Sequence, residues 1–155
     1  MRIIRSAFLA TLSFWALACV GLKQDGNTKL VFEFEKTPCF GECPTYSMKF
    51  YENGRVLLTG KQFIDKIGAY ELKAKPAQVS DLSQELDEMG FCDMKKMYGS
   101  DAMDFPSNII KYQCGGEEKT VKAISNIPPP LVDFIEKVDG LRELDEWIKL
   151  DTVAE

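Results

Sequence analysis

Tyr46-Ser47-Met48-Lys49-Phe50-Tyr51-Glu52-Asn53-Gly54-Arg55-Val56 alternates apolar and polar side chains and then turns on Asn-Gly. Period-two alternation marks a half-buried strand, and Asn-Gly is the strongest short hairpin signal, because both central residues of a type I′ turn need positive φ. A two-residue turn at Asn53-Gly54 sets Phe50 opposite Leu57 and Tyr51 opposite Val56. The same alternation precedes it from Leu30, where Phe32 and Phe34 point one way and Glu33 and Glu35 the other. Gly60 and Gly68 bracket a connection or bulge, and Ala69-Tyr70-Glu71-Leu72 reads as a fourth strand.

The period then changes. Val79, Leu82, Leu86 and Met89 form one helical stripe, with Pro76 in the first turn, Gly90 at the C-terminal cap and Phe91 placed for a Schellman contact. Two further β-like runs follow, Ser107–Cys114 and Lys119–Ile124, joined by Gly115-Gly116-Glu117-Glu118 as a second hairpin. Pro128-Pro129-Pro130 starts a last helix in which Leu131, Phe134, Ile135, Val138, Leu141, Leu144, Trp147 and Ile148 make a broad stripe, with Gly140 as its weak point and Trp147 as a core anchor. The order β-β-β-β-α-β-β-α, with hairpins as its connections, predicts an α+β domain whose mainly antiparallel sheet has its helices packed on one face.

Outward from this domain, Met1-Arg2-Ile3-Ile4-Arg5 carries two positive charges, and the run Ala7–Ala18 carries none, as in the n- and h-regions of a signal peptide spanning 1–18. No stop-transfer pattern follows it, although an uncleaved anchor is the competing reading. Ala16-Leu17-Ala18-Cys19 fits ordinary signal peptidase at the same bond. It also resembles the bacterial lipobox, in which a small-residue stretch precedes an acylated cysteine; Ala16 and Leu17 are exchanged relative to that pattern. Parity favours acylation. Of five cysteines, lipid on Cys19 leaves Cys39, Cys43, Cys92 and Cys114 as an even set. Residues 19–28 then form a short polar tether, 29–155 a single domain, and the membrane a partner through the N-terminal lipid.

Four cysteines in an oxidising compartment allow three connectivities. The local pairing, Cys39 with Cys43 around Gly41 and Cys92 with Cys114, is preferred. Loop closure is worth about 2 kcal/mol for the short ring and about 3.4 kcal/mol for the long one. A dithiol catalyst at Cys39 and Cys43 is the functional alternative, yet such enzymes use C-x-x-C at a helix N-terminus, and here three residues intervene before a strand.

The chain has no histidine, which removes Ser-His-Asp and Cys-His chemistry and most histidine metal sites. Its formal charge is −5, and its longest basic cluster is Lys95-Lys96, so nucleic acid is not an expected partner. Asp101, Asp104, Ser107 and Asn108 gather oxygen ligands in one loop, raw material for calcium without the D-x-D-x-D-G spacing. Tyr46, Phe50, Tyr51 and Tyr70 are candidates for an aromatic face that binds peptide or glycan. No catalytic residues, metal ligands or cofactors are assigned.

The segment Thr37-Pro38-Cys39-Phe40-Gly41-Glu42-Cys43-Pro44-Thr45-Tyr46, followed by the Asn53-Gly54 hairpin and Gly60, resembles the hallmark of a bacterial domain family of unknown function with the signature T-P-C-F-G-x-C-P-x-Y. Thr37, Pro38, Cys39, Phe40, Gly41, Cys43, Pro44 and Tyr46 carry the match, and the likeness runs from about Lys29 to about Leu150. It implies a small exported or lipid-anchored domain and supplies no established activity, so no catalytic residues carry over; an envelope protein or glycan is the expected partner. The expected function is a non-catalytic binding or structural module; a thiol-disulfide protein or a calcium-stabilised domain is the alternative.

Overall fold

The computed structural model describes residues 28–100 and 105–151. The leader 1–18, Cys19, the tether up to residue 27, Asp101 and Asp104 lie outside them. The described chain forms an eight-stranded sheet with two α-helices: β1 Leu30–Lys36, β2 Thr45–Tyr51, β3 Arg55–Gln62, β4 Gly68–Lys73, α1 Pro76–Glu88, β5 Met97–Tyr98, β6 Asn108–Cys114, β7 Glu117–Ala123, α2 Pro129–Gly140 and β8 Ile148–Lys149. The spatial order is β5-β7-β6-β1-β2-β3-β4-β8, antiparallel except for β5 against β7.

β1 lies at the centre of this order, paired with β2 on one edge and β6 on the other. Its alternation lines up across the sheet: Phe34 faces Met48 and Ile110, and Leu58 lies beyond Met48. Phe32 stacks on Phe50 at 4.1 Å and meets Phe134 of α2 at 5.8 Å. Val79, Leu82 and Leu86 of α1 and Leu131, Phe134, Ile135 and Val138 of α2 join these strand residues in one buried cluster. The opposite sheet face is laced with ion pairs, Glu33 with Lys111 and Glu35 with Lys61.

The element order expected from sequence is corrected in detail. Two strands, β5 and β8, were not expected, because two residues are too short to show a period. The first hairpin is shifted by one residue from the expected register: Phe50 faces Val56, and Lys49 faces Leu57. A three-residue loop, Glu52-Asn53-Gly54, makes this possible, with Gly54 N–H donating to Tyr51 O and Gly54 in the left-handed region at φ 86°. The reason is burial. Cross-strand partners share a face, so Phe50 can join the core only opposite Val56, whereas the expected pairing would have set it against Leu57 on the outer face.

The second hairpin is tighter than expected: Cys114 pairs with Glu117 across Gly115-Gly116, so β7 begins two residues early. α1 runs from Pro76 as expected, with the Gln78 side chain accepting the Lys75 N–H and Gly90 just past the cap at φ 70°. α2 stops at Gly140, so the helical stripe does not continue to Ile148; a 3-10 turn, Leu141–Glu143, leads the chain back to edge strand β8, where Ile148 is exposed. Trp147 is buried and its indole N–H donates to Leu141 O, as befits a core anchor.

The cysteines pair Cys39–Cys43 and Cys92–Cys114, each with 5.7 Å between Cα atoms. The second pair, 22 positions apart, ties the turn after α1 to the end of β6. Replacing Cys92 and Cys114 together by Ala is expected to cost about 3 kcal/mol, against about 2 kcal/mol for Cys39 and Cys43, measured by urea unfolding of oxidised protein. Gly60 is a second sensitive position, because a Cβ there would lie 1.8 Å from Lys66 O in the β3–β4 connection. Gly60→Ala should therefore cost about 2 kcal/mol in the same measurement, with the 63–67 connection displaced.

Candidate functional site

The ends of β1 and β6, and the links β1–β2 and β3–β4, meet at one end of the sheet. Lys36 pairs with Tyr46 and Asn108, and Tyr46 with Gly60, which in turn faces Gly68. Residues 37–44 project from this end. Pro38 and Pro44 have fixed φ and flank the ring closed by Cys39 and Cys43. The Phe40 side chain sits on that ring with 93% of its surface exposed. Gly41 is not needed for the path: a Cβ there would meet only Cys39 Sγ, at an ordinary 3.8 Å.

Both ends of the loop are fastened. At its start, Thr37 N–H donates to Ser107 O, Ser107 N–H donates to Thr37 Oγ1, and the two hydroxyls are 2.8 Å apart. Ser107 is almost fully buried, which suits a group whose polar atoms are partnered within the protein. At the loop's exit, Thr45 is buried and its hydroxyl donates to Cys43 O. Of the four residues proposed for calcium, Ser107 serves this lock, Asn108 Oδ1 is buried without a hydrogen-bond partner among the described residues, and Asp101 and Asp104 lie outside them.

Tyr46, next in the chain, points inward and is fully buried. Its hydroxyl donates to Asp139 near the end of α2. The same carboxylate accepts from Lys36 Nζ at 2.8 Å and from Arg142 Nε at 3.1 Å, and Arg142 also pairs with Glu143. Burial opposes the charge on Asp139, but the hydrogen bonds from Lys36 and Tyr46 and the nearby cations outweigh it and hold the carboxyl below its ordinary value. Burial first, then the Asp139 hydrogen bond and charge, drive the Tyr46 phenol well above its usual range. Burial would lower the Arg142 pKa, but Asp139 and Glu143 raise it on balance. This cluster is a structural anchor: it fastens the start of β2 to the end of α2.

The other aromatics proposed for a binding face do not assemble. Phe50 is buried, Tyr51 lies under Arg55 on the outer face, and Tyr70 lies near Lys149 beside β8. Exposed apolar side chains stand instead on segments at the same end of the sheet as the Phe40 loop. Phe63 and Ile67, at 52% and 50% exposure, stand on the β3–β4 connection, and Phe105, at 64%, precedes the Thr37–Ser107 lock by two residues. Phe63 also adopts φ 52°, which bulky residues rarely do and which marks a conformation imposed by its surroundings. Sequence reading missed these positions, although Phe63-Ile64 and Ile67 between two glycines, in a segment expected to be a connection, were a usable signal.

After Cys43 the chain enters β2, so no helix N-terminus adjoins the disulfide to lower a thiol pKa. Among the described residues no group of three or more Asp, Glu, Cys or His side chains is placed to hold a metal ion.

Tyr46→Phe removes one donor from a charged, part-buried acceptor and should cost about 2 kcal/mol at pH 7. pH supplies a second check. A folded-state pKa raised above the unfolded value of about 10 gives stability that is complete below that pH and lost above it. Tyr46 and Tyr112, the latter pushed up to about 12 by burial and by Asp87, both act in this direction. Wild-type stability should therefore fall as pH rises past about 10, less steeply in Tyr46→Phe. The depressed Asp139 carboxyl gives the opposite limb, with stability present above about pH 4 and lost as the pH falls further. Urea midpoints between pH 2 and 11 test both limbs.

No curated protein matches the chain. Residues 30–142, from the first strand to the 3-10 turn that carries Arg142, match a family described as a domain of unknown function, DUF6438. That span takes in strands β1 to β7, both helices, both disulfides and the Tyr46–Asp139 anchor, and the chain belongs to the DUF6438 family.

Proposed function

We propose that this protein is an exported domain of the bacterial cell envelope, anchored by lipid on Cys19 after removal of residues 1–18, and that it works as a non-catalytic binding module. Its contact surface is the disulfide-closed end of the sheet. The observation that carries this reading is the outward Phe40 ring on a covalently closed loop, with Phe63, Ile67 and Phe105 exposed on adjoining segments. Exposed rings on fastened loops lose little conformational freedom on association, which favours affinity. The disulfide pairs accord with an oxidising compartment.

In this reading the T-P-C-F-G-x-C-P-x-Y run is a shared device of the family. Thr37 and Tyr46 fasten the loop, Cys39 and Cys43 close it, and Phe40 meets the partner. The partner is an envelope protein or glycan presenting an apolar recess or sugar face, and nucleic acid is not among the candidates. The thiol-disulfide alternative has less support, because its disulfide leads into a strand.

Intact-mass analysis of protein taken from membranes should find Cys19 at the N-terminus, carrying fatty acid; an unmodified Cys19 or a retained Met1 would sink the anchor. A photo-crosslinking residue at position 40 should give a discrete adduct in the native envelope, absent when the probe replaces exposed Lys49 and lost when Phe63 and Phe105 are changed to Ser. Phe40→Ser should change stability by less than about 0.5 kcal/mol, since the ring is outside the core. Equal adducts at positions 40 and 49 would defeat the binding end.

A further inference from the structure

The sheet carries both helices on one side: Tyr46 and Tyr112 reach Asp139 of α2 and Asp87 of α1, and Lys137 of α2 bonds Glu85 of α1. On the other side, across the neighbouring strands β6-β1-β2-β3-β4, the registers place five cations, Lys49, Arg55, Lys61, Lys73 and Lys111, against three acids, Glu33, Glu35 and Glu71. β7 adds one charge of each sign to this side, Glu118 and Lys122.

The cations stand above the acids. In each of the pairs Lys111–Glu33, Arg55–Glu71 and Lys61–Glu35 the basic side chain is the more exposed member, 34% against 16% in the first. Lys49 and Lys73 are exposed, and their side chains have no partner among the described residues. The helix layer has the opposite sign: residues 76–94 hold five acids and no base, and residues 129–146 hold six acids and two bases. An acidic chain thus turns its cations to one broad side.

We infer that this open face lies against the anionic phospholipid head groups of the membrane that holds the chain, with the helix layer turned away. The inference rests on membrane attachment as proposed above, and not on the binding end at Phe40. Charge selects the side, because a negatively charged leaflet attracts each surface cation and repels the acidic helices. Breadth selects a planar occupant. The cations span four strand spacings, about 19 Å, so a small anion meets only one or two of them and a layer of head groups meets the whole set. Reach permits the contact. Thr28 Oγ1 accepts from Asn53 Nδ2, and Glu52 N–H donates to Lys29 O, so the chain joins the sheet beside the Gly54 turn. From there back to Cys19 the backbone extends at most about 32 Å.

Protein extracted from membranes and reconstituted into vesicles tests this, with lysines acetylated by a neutral reagent and the rates read by peptide mass spectrometry. When phosphatidylglycerol is mixed into phosphatidylcholine, Lys49, Lys73 and Lys111 should react about fivefold more slowly than in phosphatidylcholine alone, while Lys137 on the helix layer keeps its rate. High salt should abolish the difference by screening. Lys49→Glu combined with Lys73→Glu should remove the protection of Lys111, and Lys49→Arg combined with Lys73→Arg should retain it.

Equal slowing of Lys137, slowing in phosphatidylcholine alone, or slowing that survives high salt would overturn the assignment. So would protection by soluble polyphosphate without a response to phosphatidylglycerol, which would give the face to an anionic polymer. Intact mass of the same sample reads the lipid on Cys19 separately. An uncleaved leader would tether the chain at the same place, so loss of the acyl group alone leaves the orientation measurable. Protein that stays with neither kind of vesicle would overturn membrane attachment and this inference together.

Discussion

The burial of Phe32 and Phe34 on one side of β1, with Glu33 and Glu35 on the other, is the constraint on which the sheet rests. β1 is the bridge between two hairpin systems, β2–β3–β4 and β6–β7, and both register on it. Phe32 reaches Phe50 in one neighbour and Phe134 in α2, so a single ring joins a strand pair to a helix. On the reverse side Glu33 pairs with a lysine on the neighbouring β6, and Glu35 reaches past β2 to a lysine on β3. A slip of one residue would exchange phenylalanine for glutamate against the helices, which no rearrangement nearby could accommodate.

That register delivers the segment from Thr37 to Tyr46 with its parts facing different ways. Tyr46 continues the inward alternation and ends on Asp139, while the closed ring before it lies beyond the sheet and turns Phe40 outward. Rigidity at the loop is therefore borrowed from the interior. The carboxylate of Asp139 gathers Lys36 from β1, Tyr46 from β2 and Arg142 from the turn after α2, so the two strand ends that bracket the loop share one acceptor. The Thr37–Ser107 lock adds the residues leading into β6 to the same assembly.

Alternation in β1 and β2 and the stripe of α1 were legible in the sequence, as was the local cysteine pairing, because each depends on neighbours within a few positions. Properties set by distant residues were not. The hairpin loop has three residues because Val56 and Leu58 must share a face with Phe50 and Met48. The apolar residues from Leu141 to Ile148 keep a helical spacing, yet the chain leaves the helix and returns along β4. Tyr46 and Asp139 are 93 positions apart and nothing local links them. For the candidate site, the sequence identified the cysteines, the loop and Phe40, but not the added Phe63 and Phe105, whose exposure only the meeting of strand ends reveals.

The two outermost strands carry a consequence for how copies of the molecule behave when crowded together. β5 and β8 each cover only two residues of the strand they border, leaving Glu117, Glu118 and Lys119 at one flank and Gly68 and Lys73 at the other beyond the covered rungs. A neighbouring copy seeking to extend the ladder would meet a short edge strand and, beside it, charged side chains. Short edge strands and charged flanking residues are the features that disfavour lateral strand addition at both margins.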